Sequence, residues 1–336
     1  TIAFSNETAG ATGTFYVPVP LGTYDSITVQ IMDGETLLAT NTWSDVTVER
    51  MSPKSGTLNV NFIAKINDTL YGSLQDAIDD AVNHTIILGQ DFVLDTPLQI
   101  AQGKNVVLEL NGNTVYQTAT SASESHLMAV KSGGSLTIKN GTVTRTGDVV
   151  GYSVNNASGE ISVENATIAR GLYTSGTKLT ANNANISHNQ SSRHAIYSWD
   201  CEVTINSGTF HNDNAGNATL MAAGSSVVTI NGGTFSIADG RSTLGWTSCM
   251  IDQNGTAQVI VKDGLFNGGF RINSADTILS IEGGEFNTNN GSSYTDYSGT
   301  KVVKGGKFTD AGAQNWAKKY LAEGYEMNAS GEVVAK

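Results

Sequence analysis

One eight-residue phrase recurs along this chain, and it restricts the fold more than any other feature. Its form is apolar, any, apolar, two polar or small residues, a small residue, any, apolar. The copies end at Val115, Val143, Ile168, Ile186, Phe210, Phe235, Phe266, Phe286 and Phe308. The eight steps between them run 28, 25, 18, 24, 25, 31, 20 and 22 residues. A mean period of about 24 is too short for a propeller blade or a helical-hairpin repeat. It fits one turn of a parallel β-helix built from about three short strands. Within a copy, Leu136 and Ile138 alternate with polar residues, as in a strand with one buried face. Asn140-Gly141 then turns the chain, and Val143 opens the next strand facing inward. No coil can bury its apolar edge alone, so each must stack on its neighbours.

The remaining pattern extends this reading. The phenylalanines that end the last five copies are expected as an internal stack. A second strand should precede each phrase, as at Leu127–Val130, Tyr152–Val154, Leu172-Tyr173, Ala195–Trp199, Thr219–Ala222, Cys249–Ile251 and Phe270–Ile272. The longest step carries Asp239-Gly240 and Thr243–Trp246, expected as a protruding loop. Both ends need covering. Apolar spacing and Ser73 with Asp76 predict a cap helix over 73–82. A second cap helix is predicted over 311–322, opened by Asp310 and stopped by Gly324. Residues 1–62 differ. Alternating segments from Phe15 to Phe62, with Asp33-Gly34 as a hairpin signal, predict a small antiparallel β domain. The predicted fold is therefore all-β: a right-handed parallel β-helix of about nine coils over 63–336, helix-capped and preceded by that domain.

Composition narrows function. Gly, Thr and Asn make up 105 of the 336 residues, which suits strands joined by tight turns and argues against a mostly helical protein. The net charge of −12 disfavours nucleic-acid binding. No run of 18 apolar residues occurs, so no transmembrane helix is expected. The chain opens at Thr1 without a basic, apolar leader, which fits either a removed export signal or a trimmed chain. Cys201 and Cys249 form no disulfide framework or zinc pattern and are expected as buried thiols. The five histidines show no metal-ligand spacing, so neither metal nor cofactor is expected. Asp200, Asp252, Asp263, Asp276, Glu282 and Glu285 do not recur at one coil phase, and no catalytic residue is assigned.

The segment Ser73-Leu-Gln-Asp-Ala-Ile-Asp-Asp-Ala, the later Ile86-Ile-Leu and Val107-Leu-Glu-Leu-Asn-Gly-Asn-Thr-Val, and the GGxF-type coils resemble surface β-helix proteins of gut-type bacteria. The closing Tyr320-Leu-Ala-Glu-Gly-Tyr-Glu resembles the end of that group. The segment from Phe15-Tyr-Val-Pro-Val-Pro to Leu58-Asn-Val-Asn-Phe resembles a fimbrillin-like sandwich of Bacteroidales surface proteins. These resemblances imply a secreted or cell-surface protein, outer-membrane attached, with a role in adhesion. The partner would be a host or dietary glycan or a surface protein.

The surface candidates are aromatic. If Ile196 and Ser198 point inward, Tyr197 and Trp199 point out, with Tyr173 one coil earlier beside Tyr197. Arg193, His194, Trp246 and Arg271 are expected near the same face. Such aromatics flanked by hydrogen-bonding groups suit stacking on sugar rings. The expected function is a non-enzymatic adhesin or glycan-binding β-helix. The alternatives are a polysaccharide lyase or glycoside hydrolase on the same scaffold, and a stalk without ligand.

Overall fold

Alternating apolar residues in runs of three to five give strands too short to stand alone. The chain solves this by coiling. The computed structural model describes residues 17–33, 36–50, 54, 62–67, 69–81, 84–118, 126–146, 151–156, 158–190, 193–213, 217–237, 249–287, 295–296 and 298–336. It is a parallel β-solenoid of about eight turns, since nine phrases bound eight steps. Each turn lays one strand on each of three faces. In one turn, Ile196–Trp199 lies on face 1, Glu202–Ile205 on face 2 and Gly208–Asn212 on face 3. Face 1 stacks nine strands, from Leu98–Ile100 to Thr295–Asp296. Face 3 stacks ten, from Phe92–Val93 to Lys307–Phe308.

The phrase endings form one inner column on face 3. Strand register joins Val115, Val143, Ile168, Ile186, Phe210, Phe235, Phe266, Phe286 and Phe308 in order, each fully buried. The five phenyl rings stack at centroid distances of 4.7, 4.9, 4.9 and 4.8 Å, all within 22° of parallel. Parallel pairing imposes this spacing, because neighbouring strands lie about 4.8 Å apart. The first phrase is offset on face 2. Leu108, not Leu110, pairs with Ile138. Leu110 instead folds into the corner, where a side-chain carbon on Gly141 would strike it.

Both ends are covered. Upstream, the antiparallel strands Ala64–Ile66 and Thr69–Tyr71 extend the edge of face 2. Helix α1 (Leu74–Asp80) buries Leu74, Ala77 and Ile78 beside them, and its N-cap Ser73 accepts the Asp76 N–H. It is shorter than the expected 73–82: Ala81 is extended and closes it. Downstream, helix α2 (Ala311–Lys318) starts at the Asp310 cap and ends well before Gly324. The chain after it returns to the sheet, since Val303 N–H donates to Tyr320 O and Ala322 N–H to Val303 O, both at 2.9 Å. That competing pairing shortens the expected 311–322 helix. Trp316 packs its ring 5.7 Å from Phe270 and seals the core.

At the N-terminal side, Gly22–Asp33 pairs antiparallel with Thr36–Val48. Residues 37–40 and 45–48 belong to this one continuous second strand. The segments at Phe15-Tyr16 and 57–61 lie outside the described residues, as does the Asp239–Trp246 loop. Cys201 is buried, and its Sγ lies 3.2 Å from Trp199 O. The side chain of Cys249 lies outside the described residues.

Candidate functional site

The corner from face 3 to face 1 varies most in length. It takes two residues, Arg170 and Gly171, between Ala169 and Leu172. One turn later it takes the seven residues 189–195, between His188 and Ile196. Arg170 (φ 69°) and Gly171 (φ 67°) both adopt the left-handed conformation that so tight a corner demands. A side-chain carbon on Gly171 would lie 2.7 Å from Ala195 O and 2.9 Å from His194 O. Glycine therefore lets the longer loop rest directly on the short corner. The recessed corner between two longer ones leaves a notch.

Two cavities open in this notch. One, of about 340 Å³, is lined by Gly151, Tyr152, Asn155, Tyr173, Arg193, His194 and Tyr197. The other, of about 350 Å³, is lined by Thr144, Arg145, Thr146, Ala169, Arg170, Ser187, Asn189 and Asp213. Both reach the size of small-molecule sites, roughly 300–1,000 Å³. Arg145 links them, its Nη1 donating to Tyr152 O at 3.4 Å.

Strand register builds the first cavity. Asn155, Tyr173 and Tyr197 are successive residues of one outward column on face 1. The tyrosine rings stand edge to face at 5.1 Å. Tyr152 tilts against Tyr173 at 5.9 Å, and Trp199 extends the strip 6.4 Å beyond Tyr197. Trp199 is 42% exposed, so the strip runs from a buried ring to an open one. The Arg193 guanidinium carbon lies 5.9 Å from the Tyr152 ring centroid, within cation–π range.

Buried polar side chains fix the loop that carries Arg193. Fully buried Asn212 donates through Nδ2 to Arg193 O at 3.0 Å and to Ala218 O at 2.8 Å. His188, its neighbour in register, bonds Gly151 O through Nε2 at 3.2 Å and accepts the Gln190 N–H on Nδ1 at 3.1 Å. These bonds require the neutral ring with its proton on Nε2. Burial holds the His188 imidazole down to about 4, against the pull of its Gly151 hydrogen bond. Burial likewise holds His194 down to about 4, and the positive fields of Arg271 and Arg193 act in the same sense. Its Nδ1 accepts the Ala218 N–H at 2.9 Å. Burial raises the Tyr152 phenol above the ordinary tyrosine range. At neutral pH all three rings are therefore uncharged.

Two polar atoms of the residues lining this cavity are buried away from solvent: the Tyr152 hydroxyl, which has the His194 backbone as a neighbour, and Asn155 Oδ1, which has no well-formed hydrogen bond among the described residues. A buried unsatisfied polar group costs about 1–3 kcal/mol.

The six sequence candidates divide. Tyr173, Arg193 and Tyr197 meet in the cavity, with Trp199 at its rim. Arg271 lies on the same column three strands on, through Met221 and Asp252, about 14 Å along the stack. Trp246 lies outside the described residues. Sequence reasoning missed Tyr152 and Asn155 as site residues. The signal was present in the 18-residue step, the shortest of the eight, which marks the missing corner. Among the described residues no three His, Cys, Asp or Glu side chains gather as a metal-binding group, and no helix is long and apolar enough to cross a membrane.

The fold thus defines a parallel β-solenoid with an aromatic notch at its most variable corner. Comparisons with protein-family models, with curated proteins and with solved structures return no match to this chain.

Proposed function

We propose that this protein is an exported, non-enzymatic adhesin-type protein that binds carbohydrate in the notch beside Tyr173 and Tyr197. The carrying observation is the graded strip Tyr152–Tyr173–Tyr197–Trp199, which runs along one wall of a cavity of about 340 Å³ from a buried ring to an open one. Sugar rings present apolar faces and hydroxyl edges. An aromatic wall takes the faces, while polar groups at the cavity mouth take the edges. Main-chain and buried side-chain bonds hold the site, so ligand binding needs little reordering. An extracellular setting agrees with the low charge, the Thr- and Asn-rich composition and the surface-protein resemblance.

The test is a glycan-array screen followed by titration calorimetry on the best binders. Loss of one aromatic partner is expected to weaken binding about tenfold in Tyr197→Ala and in Tyr173→Ala, with unchanged circular dichroism. Trp199→Ala should weaken it less. Undiminished binding in both tyrosine variants would remove the notch as the site.

A further inference from the structure

The geometry points to a covalent acylation site on face 3, where Ser236 is a nucleophile that takes a short acyl group from an activated donor, a thioester or an aryl ester. This goes beyond the carbohydrate reading and does not rest on it.

His188 and His194 use ring nitrogens on main-chain groups. His211 meets side chains with both of its own. Its Nε2 lies 2.8 Å from Asp213 Oδ1, and its Nδ1 lies 2.7 Å from Ser236 Oγ. A carboxylate can only accept, so in the neutral ring Nε2 carries the proton and donates to Asp213. Nδ1 then holds a lone pair, and the Ser236 hydroxyl donates to it. Carboxylate, imidazole and hydroxyl thus stand in the order that activates a serine, with the base oriented by a third group.

The solenoid fixes all three. His211 and Ser236 are outward neighbours in register on face 3. Fully buried Thr219 donates through Oγ1 to Ser236 O at 2.6 Å. Asp213 N–H donates to His188 O at 2.8 Å, which holds the carboxylate beside the ring. Ser236 is half-buried and the His211 side chain is 33% exposed, so a donor can reach both. On the other side of His211 stands Ser187, which with Asp213 lines the cavity of about 350 Å³. That cavity can hold the part of the donor that departs. The outward residues around Ser236 are Thr209, Thr234 and Asn267, so no apolar groove receives a long acyl chain.

In the reaction, Ser236 Oγ attacks the acyl carbon as His211 Nδ1 takes its proton. The donor's C–S or C–O bond breaks, and the proton passes to the departing thiolate or phenolate. The products are acyl-Ser236 and a free thiol or phenol. Ser236 sits inside a parallel ladder, where main-chain N–H groups bond neighbouring strands and do not turn toward a substrate oxygen. Among the described residues the site therefore has no main-chain oxyanion hole, the feature that makes ordinary esters react. An activated donor acylates the serine without one, whereas the alkyl ester left on the serine resists water. Acylation is stoichiometric, one group per chain.

The experiment exposes the full chain to p-nitrophenyl acetate and to a small acetyl thioester, and follows product release and intact mass. Peptide mapping separates acetyl-Ser236 from acetyl-lysine, which forms wherever lysine is exposed. Wild type should show a burst with acetyl on Ser236 and little turnover after it. Ser236→Ala should lose both the burst and the mapped adduct. His211→Gln should slow acylation of Ser236 about a hundredfold or more, the reach of a general base. Asp213→Asn should slow it about tenfold or more, because an amide donor can move the ring proton to Nδ1. Circular dichroism and urea midpoints check the fold of each variant, and wild type unfolded in urea should leave Ser236 unlabelled. Acetyl confined to lysines overturns the proposal. So does equal labelling of Ser236 in His211→Gln or in the unfolded chain, and so does sustained turnover through Ser236. Glycan binding by Ser236→Ala should match wild type, so the notch is judged separately.

Discussion

Removing the ring of Phe235 tests the solenoid core inside its phenyl column. Phe235 is fully buried, with Phe210 at 4.7 Å on one side and Phe266 at 4.9 Å on the other. Truncating a buried Phe to Ala costs about 3–5 kcal/mol in general. Here the ring also loses two stacked partners, each worth roughly 0.5–1.5 kcal/mol. The stack is fixed by strand pairing above and below, so it cannot collapse into the gap. We therefore expect Phe235→Ala to fall at the upper end, about 4–5 kcal/mol. Phe308 is equally buried but has one ring partner in the stack, Phe286 at 4.8 Å. Phe308→Ala should cost about 1 kcal/mol less. Phe235→Leu keeps most of the volume and should cost about 1.5 kcal/mol. The assay is urea unfolding followed by circular dichroism, with midpoints compared only where the slope is unchanged. Stacked repeats need not unfold in one step, so the first transition is the one to compare. An Ala variant within about 1 kcal/mol of wild type, or no cheaper a Leu variant, would refute a rigid phenyl column.

Three further outcomes follow from local geometry. A methyl at Gly208 (φ 130°) would press on the Ala184 carbonyl, whereas at Gly103 (φ 76°) nothing lies within 4 Å. Gly208→Ala should cost about 3 kcal/mol or more, and Gly103→Ala about 1–2, measured by thermal melting. His188 titrates near 4 in the folded chain against about 6.5 unfolded, so the unfolded chain takes up its proton first. Its contribution is complete above pH 6.5 and is lost as pH falls toward 4, about 3 kcal/mol in all. Urea midpoints of wild type should therefore drop between pH 7 and 4.5 by more than those of His188→Gln. Asp310 caps α2 by accepting the Ala313 N–H at 2.9 Å. Asp310→Ala should cost about 1 kcal/mol and speed amide exchange in α2 ahead of the central coils.

Much of this architecture was readable from spacing alone. A phrase that repeats with apolar ends can bury those ends only by stacking, and stacking in parallel fixes which residues meet. Eight of the nine phrase copies pair on face 2 in the register their alignment gives, from Leu136 with Ile161 to Leu279 with Lys301. Tyr173 beside Tyr197 follows from the same register. The exceptions are places where a nonlocal group competes. Leu110 leaves the phrase register because the corner next to Gly141 gives it a buried place. Helix α2 stops early because Tyr320 O and Ala322 N–H find partners on Val303.

The candidate site was legible only in part, and the reason is geometric. Alternation along a strand tells which side chains point outward, so it selected Tyr173, Tyr197 and Trp199. It says nothing about depth. Depth comes from the difference between adjacent corners, which brings Tyr152 and Asn155 from one turn against Arg193 and His194 two turns later. The chain's own order thus determined the coil, the inner phenyl column and the outward aromatic strip, because each depends on near-periodic local pattern. The notch, its neutral histidines and its gathered arginines were decided only by stacking, because hydrogen bonds such as Asn212 to Arg193 O and burial around His188 join segments that no single period relates.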